Sequence, residues 1–429
     1  MQITKNLKVK EEVYTEILDN GMTVMIIPKK GIKKKYIIWG VHYGSIDSTF
    51  IVPGENQITE VPKGVAHFLE HKMFEQENGK NSLDVLTALG VNANAYTTND
   101  HTAYLYECTD NFYEALDEFM DYVQNPYFTD ENVEKEKGII GQEIMMYQDY
   151  PDWKVYLNAL EAMYHNNPVK LDITGSIETI SNINKEILYK CYNTFYTPSN
   201  MAMVVCGDFN PEELMKEIKS RLIKNENKGE IKRIYPEEPE TVVRNRVEQK
   251  MEVSIPIFTI GIKDNMNSNN KLKGQENIVS KHIAIQILLN IIFGESSDLY
   301  KKLYNEGNLL YAPMMDYEFS NTYAHILITG QSNDVDVMYR AFLEKLKEIK
   351  NNGIPQEDFY RLKKMIYGEY VKEYDDVSDI ARMFLTEHFK GINSFRYLEE
   401  IDSVTIEYTK QVLDDIFDES RIILSIVKA

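Results

Sequence analysis

Apolar residues change their period several times along the first half of the chain, and each change marks an element. The stretches 22-MTVMIIPKK-30 and 36-YIIWGVHYGSID-47 are rich in β-branched and apolar residues, the second alternating before turn residues, so both predict strands. Over 63-KGVAHFLEHKMF-74 the apolar positions fall at helical spacing. Beyond Gly90, 92-NANAYTTNDHTAYLYEC-108 predicts two strands around the polar turn 98-TNDH-101, and 111-NFYEALDEFMDYV-123 predicts a helix. A further helix should start near Asp130, with Thr129 as N-cap, an acidic first turn and Pro151 as its stop. The strand 201-MAMVVCGDF-209 and a helix from about Pro211 end the half. Residues 224–246 mix charges of both signs without apolar periodicity, the signature of a linker.

The second half repeats the order of the first. The helix 67-HFLEHKMF-74 aligns with 286-QILLNIIF-293, a strand-rich piece follows in each half, and 130-DENVEKEKGIIGQEIMMY-147 aligns with 356-QEDFYRLKKMIYGEYVKE-373. Self-similarity on this scale implies two domains of one fold, 1–225 and 247–429, joined by a linker at 226–246. The expected class is α+β, each domain a mainly antiparallel sheet flanked by helices.

The two copies differ in chemistry. His67, Glu70 and His71 of the first align with Gln286, Leu289 and Asn290 of the second. A fold that needed the triplet for packing would keep it in both copies, so only the first half is expected to carry a reactive centre. By chance, H-x-x-E-H should arise in roughly one such chain in a hundred, so the motif needs support from elsewhere in the chain.

On a helix, His67 and His71 lie one turn apart on one face, close enough to share an ion. Glu70 falls beside them, where it can serve as a base toward a water without ligating. A catalytic zinc takes three protein ligands and keeps one open position. The helix from Asp130 offers two carboxylates two turns apart, Glu136 and Glu143, in the apolar context 138-GIIG-141, where an unpaired charge would be costly. One as ligand and the other hydrogen-bonded to a ligand histidine would account for both. The plainer alternative is a satisfied pair of core histidines with ordinary helix glutamates.

Composition narrows the classes. The 429 residues carry 67 acidic and 47 basic side chains, net charge −20, which disfavours a nucleic-acid partner. No tract of about 18 apolar residues and no secretory leader is evident, so no membrane partner is expected. Cys108, Cys191 and Cys206 form no C-x-x-C pair and read as buried thiols of a cytoplasmic protein.

The order HFLEH, 71 intervening residues, then Glu143, with LDNGMTVMIIP at 18–28, NAYT at 94–97 and SNMAMVVCGDF at 199–209, resembles the pitrilysin/insulinase family of inverted-zincin metallopeptidases. Within it the layout looks most like the bacterial YmfH-like subgroup of processing proteases. The resemblance implies one Zn2+ per chain held by His67, His71 and Glu143. It implies two further catalytic carboxylates, Glu70 as base and Glu136 behind a ligand histidine. It implies substrate contacts at Asn94 and Ala95 of a sheet edge and at Tyr311. It further implies a zinc endopeptidase acting on short unstructured peptides, in precursor or leader processing or in peptide clearance. The two domains would form half of a clamshell chamber closed by a second subunit. Family members commonly pair an arginine with the tyrosine, seven residues before it. Here that position holds Tyr304, which has no permanent charge and no bidentate fork. The expected partner is therefore a homologous metal-free subunit in a heterodimer, a homodimer being the other arrangement. The competing expectation is a non-catalytic assembly subunit of the same fold, a class that typically loses the ligand set present here.

Overall fold

Seven strands form the larger sheet of the computed structural model, which describes residues 1–223, 229–264 and 275–429. Their spatial order is β1 (Gln2–Asn6), β2 (Glu11–Ile17), β3 (Thr23–Pro28), β9 (Met201–Gly207), β4 (Lys35–Val41), β8 (Thr102–Cys108) and β7 (Asn92–Thr97). All neighbours are antiparallel except β3 and β9. A second sheet runs β11 (Arg246–Lys250), β15 (Ile422–Lys428), β12 (Ile257–Asp264), β14 (Ala324–Gln331) and β13 (Met314–Phe319). Here only β11 and β15 are parallel. The last strand of each repeat thus slots between two earlier ones, β9 between β3 and β4 and β15 between β11 and β12, followed by the same antiparallel meander. A small third sheet joins β10 (Lys232–Arg233), β5 (Thr49–Ile51) and β6 (Ile58–Glu60). Both repeats are α+β with mainly antiparallel sheets, as the sequence pattern predicts.

Nearly every residue of β4 and β9 is buried, because helices cover both faces of the sheet's centre. Alternation sends neighbouring side chains to opposite faces. Trp39 meets Phe119 in the main core, their rings 6.3 Å apart, while the next residue, Gly40, faces Leu385 and Phe389 of the helix Val377–Phe389. A methyl group on Gly40 would fall 2.7 Å from Phe389 and 2.8 Å from Leu385. The second sheet does the same at Gly261 of β12, where a methyl group would lie 2.8 Å from Met163 of the helix Pro151–Met163.

These two helices come from the other repeat in sequence. The compact units are therefore not contiguous halves: one comprises Met1–Ile144, Asp172–Tyr235 and Glu373–Ser394, the other Met145–Leu171, Pro236–Lys372 and Phe395–Ala429. Each repeat lends one helix to the sheet of the other. The linker divides likewise. Arg233 of its first part pairs with buried Asp47 at 3.1 Å in the first unit. In the second unit, Glu238 accepts from the amides of His165, Asn166 and Asn167 at 2.7–2.8 Å. Residues 226–228 of the expected linker lie outside the described residues.

The expected helices stand at Val65–Lys72, Phe112–Gln124, Asp130–Gln148, Pro211–Arg221 and, in the second repeat, Gln275–Phe293 and Gln356–Lys372. Thr129 caps as expected, its hydroxyl accepting from the Asn132 amide at 3.1 Å. Pro151 opens the next helix rather than closing its predecessor, which ends at Gln148. The helical stretch Asn277–Asn305 is long and apolar enough to match a membrane span by composition, but most of its apolar window is buried inside the protein, as in a core helix.

Candidate metal centre

A short helix positions the first two candidate ligands, and its start is fixed by two glycines. Gly64 precedes the helix Val65–Lys72 at φ 91°, and a methyl group there would lie 2.6 Å from the carbonyl oxygen of Thr174. Gly175, at φ 78°, would in turn press on the carbonyl oxygen of Lys63 at 2.6 Å. Two backbone segments touch here with no room for side chains, and only glycine adopts these positive φ values without strain. Phe68 and Leu69 are fully buried in the core, which sets the rotation of the helix.

That rotation brings His67 and His71 side by side, ring centroids 4.5 Å apart. Glu143, from the helix Asp130–Gln148, meets both: Oε1 is 3.6 Å from His67 Nε2 and Oε2 is 3.6 Å from His71 Nε2. One ligand atom from each of these three side chains lies within 4.8 Å of the others. Separations of 3.6 Å are too long for hydrogen bonds. They approach the roughly 3.4 Å between two atoms that ligate one tetrahedral ion from about 2.1 Å each. The donor set, two imidazoles and a carboxylate, also suits zinc, so residues and spacing fit such an ion.

Glu136 lies one step behind. Its Oε1 is 3.1 Å from His71 Nδ1 and its Oε2 is 3.5 Å from Lys72 Nζ. A proton shared between His71 Nδ1 and Glu136 leaves the Nε2 lone pair facing Glu143 and the gap. Burial would raise the Glu136 carboxyl, but the bond to His71 and the charge of Lys72 outweigh it and hold the group below its ordinary range. The neighbouring His67 holds the Glu143 carboxyl below its ordinary range against the opposing effect of burial.

Glu70 is not in the ligand cluster. Its Oε2 accepts from Thr97 Oγ1 at 2.6 Å; Thr97 Oγ1 lies 3.3 Å from Thr102 Oγ1, and Thr102 donates to the Tyr43 carbonyl at 2.9 Å. The candidate base is thereby tied to the end of β7. Asn94 and Ala95 sit on that same strand, the outermost of its sheet. The Ala95 amide donates to Asn94 Oδ1 at 2.9 Å, so this N–H faces the open edge rather than β8. Tyr311 belongs to the other unit, in the segment after the helix Asp298–Asn305. Tyr304, on that helix, is 53% exposed with its ring 5.7 Å from Tyr300, and Tyr311 is 46% exposed. Sequence reasoning passed over Thr97 and Lys72. Thr97 ends the quoted NAYT, and a lysine within an apolar helical run beside two histidines was a readable signal.

Two family models match: "Insulinase (Peptidase family M16)" over residues 51–176 and "Peptidase M16 inactive domain" over 182–366. The first spans His67, Glu70, His71, Glu136 and Glu143, and the second runs from the end of the first repeat through much of the second, which lacks the triplet. The chain is 36% identical over 410 residues to the uncharacterized zinc protease YmfH of Bacillus subtilis, covering 95% of this chain and 94% of that one. It is 27% identical over 220 residues to the mitochondrial-processing peptidase subunit beta of Dictyostelium discoideum, covering 50% and 45% respectively. Its structure is similar to that of a putative M16-like peptidase from Alicyclobacillus acidocaldarius, with TM-score 0.92 and 34% identity over 98% of this chain and 99% of that one.

Proposed function

Because this chain belongs to the insulinase family of M16 peptidases, we propose that it is a zinc-dependent endopeptidase cleaving short unstructured peptides. The observation that carries this reading is the convergence of His67, His71 and Glu143, with Glu70 anchored beside them. These three residues would hold one zinc ion. When bound, the ion supplies Lewis acidity toward the attacked carbonyl and the attacking water. Glu70 takes the proton of that water and returns it to the leaving amine, a transfer worth about 10²–10⁴-fold in rate. Glu136 keeps the His71 ring turned with Nε2 forward. The edge of β7 receives the peptide as an added strand through the backbone of Ala95, with the Asn94 side chain beside it, reading shape more than sequence.

The proposed partner is a homologous subunit that closes the chamber and supplies the arginine missing at Tyr304, with Tyr311 as this chain's contribution. The relative named as a subunit of a processing peptidase supports a paired arrangement. Three free, buried cysteines favour a reducing compartment, hence the cytoplasm as the proposed location. The test is digestion of a quenched fluorescent unstructured peptide. The isolated zinc-loaded protein should cleave slowly, and adding a metal-free homologue with an intact Arg/Tyr pair should raise the rate sharply. Ordinary peptidase rates from the chain alone would remove the partner. No cleavage in either mixture, across a peptide library, would remove the peptidase reading.

A further inference from the structure

Lys72 has no role in the chemistry described so far, yet it is the most enclosed charge near the metal centre. Its side chain is 0% exposed, although it follows a candidate ligand on an eight-residue helix. Its Nζ lies 2.8 Å from Glu75 Oε2 and 3.5 Å from Glu136 Oε2. Glu136 thus divides its two oxygens, Oε1 facing His71 Nδ1 at 3.1 Å and Oε2 facing Lys72. Glu75 is itself held from outside by Lys135 at 3.4 Å.

A buried ion pair rarely stabilises a fold more than apolar residues of similar volume. The second repeat makes that comparison within one chain. Lys72 aligns with Ile291 and Glu136 with Leu362, both apolar and buried. The architecture accepts a greasy pair at these two positions, so packing alone does not call for lysine and glutamate. What the first repeat has in addition is a histidine whose ring must be oriented.

We propose that Lys72 is a positioning residue of the metal centre: clamped between Glu75 and Glu136, it holds the Glu136 carboxylate where that group orients His71 toward the ion. The inference rests on the zinc reading above. Without the lysine, Glu136 loses the partner of its second oxygen and is free to turn from His71, and the imidazole loses the group that fixes its tautomer and plane.

Zinc affinity measured by competition with a chromogenic chelator tests this without any substrate. Lys72→Met keeps the length and removes the charge, and should bind zinc about 10–100-fold more weakly, the range for losing a partner of a ligand histidine. Lys72→Arg should restore most of the affinity. In a Glu136→Gln background, Lys72→Met should add little further loss, because the lysine acts through that carboxylate. Wild-type affinity in Lys72→Met, or losses that multiply fully in the double variant, would overturn the proposal. Should Lys72→Met fail to fold by thermal melting, Glu75→Gln decides: it loosens the other side of the clamp, so it should weaken zinc binding in the wild-type background and add little in the Glu136→Gln background. Wild-type affinity in Glu75→Gln, or a loss that multiplies fully with that of Glu136→Gln, would overturn the proposal. A wild-type protein that takes up no zinc would fail the zinc reading itself, a result distinct from any of these.

Discussion

The helix Val65–Lys72 and the helix segment 286–293 occupy equivalent places in two repeats with the same five-strand connectivity, and they show what a polar centre demands of a core. In the second repeat the positions of Glu70 and Lys72 hold Leu289 and Ile291, both buried, and Leu362 takes the place of Glu136. In the first, the same positions carry charges that must each find a partner: Thr97 for Glu70, His71 and Lys72 for Glu136, Glu75 for Lys72. Packing is shared by the repeats; the polar network belongs to one. The sheets show the same division. Gly40 and Gly261, equivalent and equally crowded by a helix, were kept in both because backbone and helix must approach closely there.

The comparison can be broken by exchanging residues. The largest effect is expected for Glu70→Leu, which imports the second repeat's residue. Peptide hydrolysis should fall about 10²–10⁴-fold with zinc content unchanged, as measured by initial rates and metal analysis. Wild-type turnover would end the case for Glu70 as base. The reciprocal Leu289→Glu places an unpaired carboxylate in an apolar core and should destabilise the protein by about 3–5 kcal/mol in denaturant unfolding. A negligible loss would mean that the second repeat can host the charge after all. Combining Lys72→Ile with Glu136→Leu should leave stability unchanged or raise it by about 1–4 kcal/mol, while zinc binding weakens. Marked destabilisation would show that the ion pair serves the fold.

The smallest expected effect concerns pH. Burial pulls the His71 imidazole down, but the bond to Glu136 and the charges of Glu70, Glu136 and Glu143 more than offset it, so its pKa stands above 6.5 in the metal-free protein. Protons then compete with zinc from a higher pH than at an ordinary imidazole. Affinity should be full in mild alkali and decline as pH falls, beginning above 6.5. Glu136→Gln should move the onset downward. Constant affinity between about pH 8 and 6 would contradict this.

Much of this was legible because the signals are local. Alternation and helical spacing gave the strands and helices around the centre, and the H-x-x-E-H spacing with Glu136 and Glu143 two turns apart needed only helix geometry. The exchange of helices between repeats was not legible. Nothing in 151-PDWKVYLNALEAM-163 or 377-VSDIARMFLTEHF-389 says which sheet each will cover, since any apolar face fits any apolar sheet until long-range packing chooses. The tie between Thr97 and Glu70 was hidden for a similar reason: it joins residues 27 apart across a strand end that only the folded sheet defines. The mixed charges of 224–246 gave only the signature of a linker, yet Arg233 and Glu238 are each bound within a unit.

Metal content per chain tests the central claim, that one repeat is reactive and the other its apolar counterpart, most directly. Purified protein equilibrated with zinc and freed of excess should hold about one ion per chain, and the double variant His67→Gln with His71→Asn, which copies the second repeat, should hold none while keeping its thermal unfolding profile. Glu143→Gln should also release most of the metal. Full zinc in the double variant, or two ions per wild-type chain, would contradict the account.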